Sequence, residues 1–115
     1  MFSNNKNNTM KPYTKVYLDH FNYSEGDFIP CEVTGRAAID ISHNDPRGMG
    51  GSKHKDHIEN LMGLSREAHH FLEMNPTYYW WFQLVHYYFM ITKIPYSDSI
   101  LSLKDPIFEQ IKNKL

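Results

Sequence analysis

Residues 40–69 read DISHNDPRGMGGSKHKDHIENLMGLSREAH, and this stretch decides the fold. An extended segment leads into His43, and its alternation of apolar and polar residues predicts a strand. The loop over residues 44–56 contains a proline and several glycines, and a loop this long in a small domain is usually functional or disordered. Residues 64–74 then have the pattern of a helix with Ser65 as its N-cap. The stretch therefore predicts a strand, a long loop and a helix in succession.

The order His43, Asn60, His69 suits the hydrolysis of a phosphodiester bond. Such hydrolysis near neutral pH needs a base that takes a proton from water, a metal ion that offsets charge on the phosphate, and a group that orients the base. Imidazole serves as a base or as a metal ligand in this pH range. A histidine at the end of a strand and a second histidine on the following helix can deliver both roles together.

Three segments of this stretch, DISHNDPRGMGGS, DHIENLMGL and SREAH, together resemble the HNH endonuclease family. The similarity covers about residues 31–73. It implies a ββα-metal fold, in which a hairpin, a loop and a helix surround one divalent ion. By position it implies that His43 is the general base and that His69 is the metal ligand on the helix. Asn60 matches the family's middle asparagine, which either fixes the loop and the base through hydrogen bonds or joins the metal shell.

Three further side chains are candidates around this centre. Glu73 lies one helical turn beyond His69 on the same face, where some relatives place another metal ligand. Asp40 would reach the ion only if its strand bends. Arg47 is the candidate for substrate binding because a guanidinium group makes paired hydrogen bonds to phosphate oxygens, and the competing interpretation is an arginine that supports the loop. The expected ion is Mg²⁺, with Mn²⁺ or another transition ion as the alternative because a histidine ligand suits them.

The chain departs from the family pattern in two places. Ser42 stands where the residue before the base is commonly His or Asp, and a hydroxyl group is a poor metal ligand. Many relatives also hold a structural zinc ion with two cysteine pairs, and the corresponding positions here are Cys31, Thr34, Ser65 and Ala68. Because one zinc ligand of four is present, no structural zinc is expected.

The composition along the chain suggests three regions. Residues 1–12 are polar and predict a disordered N-terminal arm, residues 13–75 the nuclease core, and residues 76–115 an aromatic-rich helical extension. Within the core, residues 14–18 predict a short strand.

Two further segments of the core predict a hairpin. Residues 28–33 and 36–42 are extended in pattern, and the Thr34-Gly35 pair between them suits a tight turn.

The extension begins with a helix over residues 77–93 that is apolar nearly all round. It is too short to cross a membrane, so we expect it to be covered on several sides by the domain or by a second copy, which would give a homodimer. Trp80 and Trp81 on this helix are expected to take over the stabilising role of the zinc. Asp105 and Pro106 predict the cap and the first residue of a last short helix.

The overall charge and the cysteine content place limits on function. The formal net charge is −1, which gives no electrostatic support for a nucleic-acid partner, since such domains are usually basic. Cys31 is the single cysteine, which suits a reducing compartment. The polar N-terminus resembles neither a signal peptide nor a membrane anchor, so we expect a cytoplasmic protein, in the host cytoplasm if a phage encodes it.

The sequence thus predicts an α+β protein with a ββα-metal core and additional C-terminal helices. The expected function is metal-dependent hydrolysis of DNA. The alternative is an HNH-like module that has lost efficient metal binding and serves nucleic-acid or protein interaction, to which Ser42 and the neutral charge point. A third interpretation is a structural phage protein that assembles through the aromatic helix.

Overall fold

The computed structural model describes residues 10–46 and 53–115. Over these residues the chain is an α+β protein with four α-helices and one two-stranded antiparallel sheet. Short 3₁₀ turns connect the elements, and the turn Ile58–Asn60 (the 58–60 turn) leads directly into the second strand. The elements in chain order are α1 (Pro12–His20), β1 (Asp40–His43), β2 (Leu61–Leu64), α2 (Arg66–Met74), α3 (Tyr79–Thr92) and α4 (Pro106–Lys112).

The first element is a helix, so the strand predicted over residues 14–18 is wrong. Pro12 occupies the first helical turn, where its fixed φ is already helical. The buried side chains are Thr14, Tyr17 and Leu18, a spacing that places them on one helical face. Residues 1–9 of the predicted arm lie outside the described residues, and Pro12, the predicted last residue of the arm, is the first residue of α1.

The sheet pairs β1 with β2, and the predicted hairpin between residues 28–33 and 36–42 forms only in part, through hydrogen bonds from the Cys31 N–H to the Arg36 carbonyl oxygen at 2.6 Å and from the Ala38 N–H to the Ile29 carbonyl oxygen at 2.8 Å. His43 lies opposite Leu61 and Asp40 opposite Leu64. Only a single bridge, Pro30 with Ala37, remains of the predicted pairing among the described residues. The turn itself forms as predicted, with Gly35 at a φ of +76°.

Helix α2 follows β2 without a loop and packs Ala68, Phe71 and Leu72 into the core. Its N-cap is Ser65, whose hydroxyl accepts a hydrogen bond from the Ala68 N–H at 3.3 Å, as predicted. The chain then leaves the helix at Asn75, directly before Pro76.

Cys31 and Thr34 lie on one turn, and this turn contacts Ser65 at the start of α2. The Thr34 N–H is 3.4 Å from the sulfur of Cys31, and the Thr34 and Ser65 hydroxyl oxygens are 3.5 Å apart. Both Cys31 and Ala68 are fully buried. Hydrogen bonds and apolar packing therefore hold these two turns against each other.

The extension shares its core with the rest of the chain. One cluster of buried side chains joins Cys31 and Met62 to the inner face of α3 and to α4. Helix α4 begins as predicted: Asp105 is its N-cap and accepts hydrogen bonds from the Ile107 and Phe108 N–H groups. No helix among the described residues is long and apolar enough to cross a membrane.

The two tryptophans of α3 lie in different environments. Trp81 is 5% exposed, and its indole N–H donates to Asp105 Oδ2 at 2.8 Å. Trp80 is 48% exposed. The expected stabilising role therefore falls on Trp81.

We predict that Trp81→Ala lowers the free energy of unfolding by about 3–5 kcal/mol, because it removes a buried ring and the hydrogen bond to Asp105. Trp80→Ala is the matched control, with an expected loss of about 1 kcal/mol or less. Urea unfolding of both variants measures the difference. Equal losses for the two substitutions would contradict the assignment of Trp81 as the anchor of α3.

Candidate active site

A cavity of about 1100 Å³ opens at the end of β1. Several elements contribute to its wall because β1, the loop after it, α1 and α2 all end or pass there. The ionisable and aromatic side chains that line it are Lys11, Tyr13, His43, Asp45, Asp56, His69, Glu73 and Tyr79. The cavity thus brings together His43, His69 and Glu73, three of the residues predicted from the sequence.

His43 is held by a carboxylate. Its Nε2 lies 2.7 Å from Oδ1 of Asp56, and 12% of the His43 side chain is exposed. The ring of Tyr13 packs edge-on against the imidazole, with 4.6 Å between the ring centroids. With a carboxylate as its acceptor, Nε2 carries the proton of the neutral ring and Nδ1 keeps the lone pair. This arrangement gives His43 a defined basic nitrogen.

Asn60 ties the two ends of the long loop together. Its Oδ1 accepts a hydrogen bond from the Asp45 N–H at 2.7 Å. Its Nδ2 donates to the carbonyl oxygens of Asp45 and Lys55 at 2.9 and 2.8 Å. Asp45 lies two residues after His43, and Lys55 directly precedes Asp56. Asn60, which is 3% exposed, therefore fixes the main chain on both sides of the His43–Asp56 pair.

His69 is also paired with a carboxylate. Its Nδ1 lies 3.0 Å from Oδ2 of Asp40, and the Nε of Arg66 lies 3.9 Å from the same oxygen. Both partners are about a quarter to a third exposed, with side-chain values of 27% for His69 and 30% for Asp40. A hydrogen bond from Nδ1 leaves the lone pair on Nε2, which is the arrangement that metal-ligating histidines usually show.

The donor atoms around His69 restrict which ion the site suits. Among residues 10–46 and 53–115 no three His, Cys, Asp or Glu side chains are grouped so that they could hold a metal ion. The neighbouring donors are the His69 imidazole and the exposed carboxylate of Glu73, while Asp40 is engaged by His69. Mg²⁺ keeps several waters and binds through few protein ligands, so this set fits a largely hydrated ion better than a zinc ion with four protein ligands.

The remaining basic side chains considered as phosphate contacts differ in their surroundings. Arg47, predicted to contact the phosphate, lies outside the described residues. His57 is exposed and its Nδ1 lies 3.2 Å from Oε1 of Glu59. The ammonium group of Lys55 is paired with Asp45. Lys11, which the sequence did not suggest, is exposed at the wall of the cavity.

Asp56 and Tyr13 are functional candidates that reasoning from the sequence missed. Asp56 lies 13 residues after His43, at the far end of a loop without regular periodicity. No spacing rule connects two residues across such a loop. Tyr13 was missed because its helix was assigned as part of an arm and a strand.

A buried polar cluster under the site was missed as well. Glu32 and His86 are both fully buried, and Glu32 Oε1 lies 2.6 Å from Nδ1 of His86. Glu32 Oε2 accepts hydrogen bonds from the Tyr17 hydroxyl at 2.5 Å and from the Gly63 N–H at 3.2 Å. His86 Nε2 lies 2.7 Å from the carbonyl oxygen of Ile58 and donates to it, because a carbonyl oxygen can only accept.

The environment of this cluster shifts three pKa values upward. Burial raises the pKa of Glu32, although hydrogen bonds from His86 and Tyr17 oppose the shift. Burial alone lowers the pKa of His86, but the hydrogen bond and the charge of Glu32 outweigh it and raise the pKa. Burial and the neighbouring Glu32 raise the pKa of Tyr17 well above its usual value. The Glu32–His86 pair therefore retains its shared proton at pH values where a free histidine has lost its own.

No protein-family model matches the chain, and neither a curated protein nor a solved structure matches it. Function is therefore inferred from the side chains at the cavity and from their geometry.

We predict that stability falls as the pH rises above about 6.5, the pKa of an unperturbed histidine. An unfolded chain releases the His86 proton there, whereas the folded protein keeps it because its pKa is raised. The folded state then binds more protons, so the free energy of unfolding decreases through the folded pKa. The raised pKa of Glu32 has the same sign.

Urea unfolding between pH 6.5 and 8 measures this slope in the natural protein and in the apolar double variant Glu32→Met, His86→Leu. The other histidines contribute equally to both proteins, so the difference between the slopes reports the buried pair. A slope that is no more negative in the natural protein than in the variant would contradict the retained proton.

Proposed function

We propose that the protein is a metal-dependent endonuclease of the HNH type that hydrolyses DNA phosphodiester bonds at this cavity. The observation that carries the proposal is the pairing of two imidazoles with two carboxylates at one site, His43 with Asp56 and His69 with Asp40. Such pairs fix which ring nitrogen carries a proton and which carries a lone pair. The two histidines are thereby prepared for different tasks.

His43 is the general base in this proposal. Nδ1 takes a proton from the attacking water, and the Asp56 carboxylate stabilises the imidazolium ion that forms. Asn60 holds the loop so that this pair keeps its orientation. Tyr13 supports the imidazole from one side, which limits rotation of the ring.

His69 and Glu73 would hold the divalent ion, Mg²⁺ or alternatively Mn²⁺, and Asp40 would orient His69 through Nδ1. A bound divalent ion supplies positive charge that offsets the charge developing on the phosphate. Ser42 is 4% exposed and adds at most a weak oxygen donor, which makes His69 the main protein ligand.

The net charge of −1 does not favour a polyanionic substrate, and the described cavity lining holds Lys11 beside the carboxylates of Asp45, Asp56 and Glu73. A bound divalent ion is therefore needed to offset the charge of the phosphate. Lys11 is exposed at the cavity. The sequence after β1 also carries Arg47, Lys53 and Lys55, and of these Arg47 is the proposed phosphate contact. Because this contact is electrostatic, binding to DNA should weaken as salt is raised.

We predict that the protein nicks supercoiled plasmid DNA when Mg²⁺ or Mn²⁺ is added. His43→Ala should lower the rate about 10²–10⁴-fold, because it removes the base. Asp56→Asn should also lower the rate while DNA binding is retained, because an amide cannot stabilise the imidazolium ion as a carboxylate does.

His70→Ala is the matched control, since His70 is exposed on the same helix as His69 and does not line the cavity. Its activity should equal that of the natural protein. If no metal ion supports cutting while DNA binding persists, the protein is the interaction module that Ser42 suggested. Metal-dependent cutting that survives in His43→Ala would instead remove His43 from the mechanism.

We further propose that the outer face of α3 forms a homodimer. Trp80, Leu84, Tyr87 and Ile91 lie in one stripe along this helix and are 44–82% exposed, opposite the face that enters the core. Helix α3 carries no Asp, Glu, Lys or Arg, so a second copy would present the same uncharged surface without repulsion. A contiguous apolar stripe of this kind is typical of an interface.

For the dimer we predict that Leu84→Lys combined with Ile91→Lys yields a monomer in sedimentation equilibrium, whereas the natural protein sediments as a dimer. Both side chains are exposed, at 59% and 82%, so the fold should tolerate the charges. Unchanged far-ultraviolet circular dichroism is the control. A natural protein that remains monomeric at high concentration would refute the interface.

A further inference from the structure

Helix α3 is connected to the 58–60 turn by two hydrogen bonds from its side chains. His86 donates from Nε2 to the carbonyl oxygen of Ile58 at 2.7 Å, and Gln83 donates from Nε2 to the carbonyl oxygen of Glu59 at 2.5 Å. Both acceptors precede Asn60 in the chain. The helix thus holds the main chain from which the Asn60 side chain extends.

The donor in His86 is itself oriented. Glu32 contacts Nδ1 of the same ring at 2.6 Å, so the imidazole has a hydrogen-bond partner on both nitrogens and no freedom to rotate. Glu32 is in turn held by Tyr17 of α1 and by the Gly63 N–H of β2. The hydroxyl group of Tyr17 lies so close to Gly63 that a Cβ atom at residue 63 would approach it to 2.8 Å. Glu32 is thus held by α1 and β2 and in turn orients the His86 ring.

The 58–60 turn is also hydrogen-bonded to residues that flank the His43–Asp56 pair. The Asn60 carbonyl oxygen accepts from the Asn44 N–H at 2.9 Å, and the Asn60 side chain bonds to the main chain of Asp45 and Lys55. Asn44 follows His43 in the chain and Lys55 precedes Asp56. A shift of the 58–60 turn consequently moves both partners of the His43–Asp56 pair.

We propose that His86 is a positioning residue: it acts through the 58–60 turn and Asn60 to set the geometry of the His43–Asp56 pair. This inference rests on the proposed function where turnover is concerned, because His43 is the base there. The effect of His86 on the geometry of the His43–Asp56 pair does not depend on that function. His86 is fully buried and does not line the cavity, so it acts through the turn.

The test replaces the buried cluster with apolar side chains of similar size, in the triple variant Tyr17→Phe, Glu32→Met, His86→Leu. Apolar replacement of a buried ionic pair is often neutral for stability, so the variant separates positioning from folding. Tyr17→Phe alone is the matched control, because it removes one bond of the cluster and leaves the His86–Ile58 hydrogen bond in place.

Nuclear magnetic resonance of the histidine rings provides a readout that does not require activity. In the natural protein and in Tyr17→Phe, the His43 Nε2–H resonance should show the hydrogen bond to Asp56. In the triple variant it should move upfield or be lost. The single variant His86→Gln keeps a donor for the Ile58 carbonyl oxygen. Its His43 Nε2–H resonance should therefore lie close to that of the natural protein.

Plasmid nicking provides the second readout. The triple variant should lose about tenfold to a hundredfold in kcat, the cost of a small misplacement of a catalytic group, with KM for DNA unchanged. His86→Gln should recover most of the turnover. A natural protein that does not cut DNA would overturn the proposed function but would leave the resonance test of the positioning role intact.

Gln83→Ala tests the same connection between α3 and the turn without changing a buried charged group. It removes the other hydrogen bond to the turn and should shift the His43 resonance in the same direction, while Gln110→Ala on the exposed face of α4 should not. A triple variant that folds with an unchanged His43 resonance overturns the proposal. If the triple variant does not fold, an unchanged resonance in Gln83→Ala overturns it.

Discussion

The rest of the structure depends on how the buried carboxyl group of Glu32 is satisfied. A carboxylate without access to water is strongly unfavourable unless it is paired and hydrogen-bonded. Here the Tyr17 hydroxyl of α1, the Gly63 N–H of β2 and the His86 imidazole of α3 meet at this one group. Three elements that are distant in sequence must therefore dock in one relative arrangement.

A buried ionic pair usually contributes little net stability, because desolvation offsets the attraction between the charges. In this protein the pair instead fixes the orientation of the helix that carries His86. An apolar core would tolerate small rotations of α3, whereas hydrogen bonds to both nitrogens of His86 do not. The cluster thus fixes the relative positions of α1, β2 and α3 in a small domain whose described sheet has two short strands.

The cavity differs from the buried Glu32 cluster because its histidines are partly exposed. The side chains of His43 and His69 are 12% and 27% exposed. Their orientation comes from the carboxylates beside them and from the buried amide of Asn60. The two imidazoles at the cavity are in this way held by polar contacts, among which the Asn60 amide is buried.

The sequence by itself determined the elements that depend on local chemistry. Ser65 and Asp105 cap their helices as predicted, because an N-cap bonds to N–H groups two or three residues away. The motif also indicated that His43 and His69 would share one site, and both residues line the cavity. Tertiary structure decided which strand pairs with β1, that residues 12–20 form a helix, and which carboxylate each histidine contacts. It also gave His86 a partner 54 residues away and Asp56 a partner across a loop. Such contacts follow from how the core closes around groups that must be satisfied, and no local spacing in the chain encodes them.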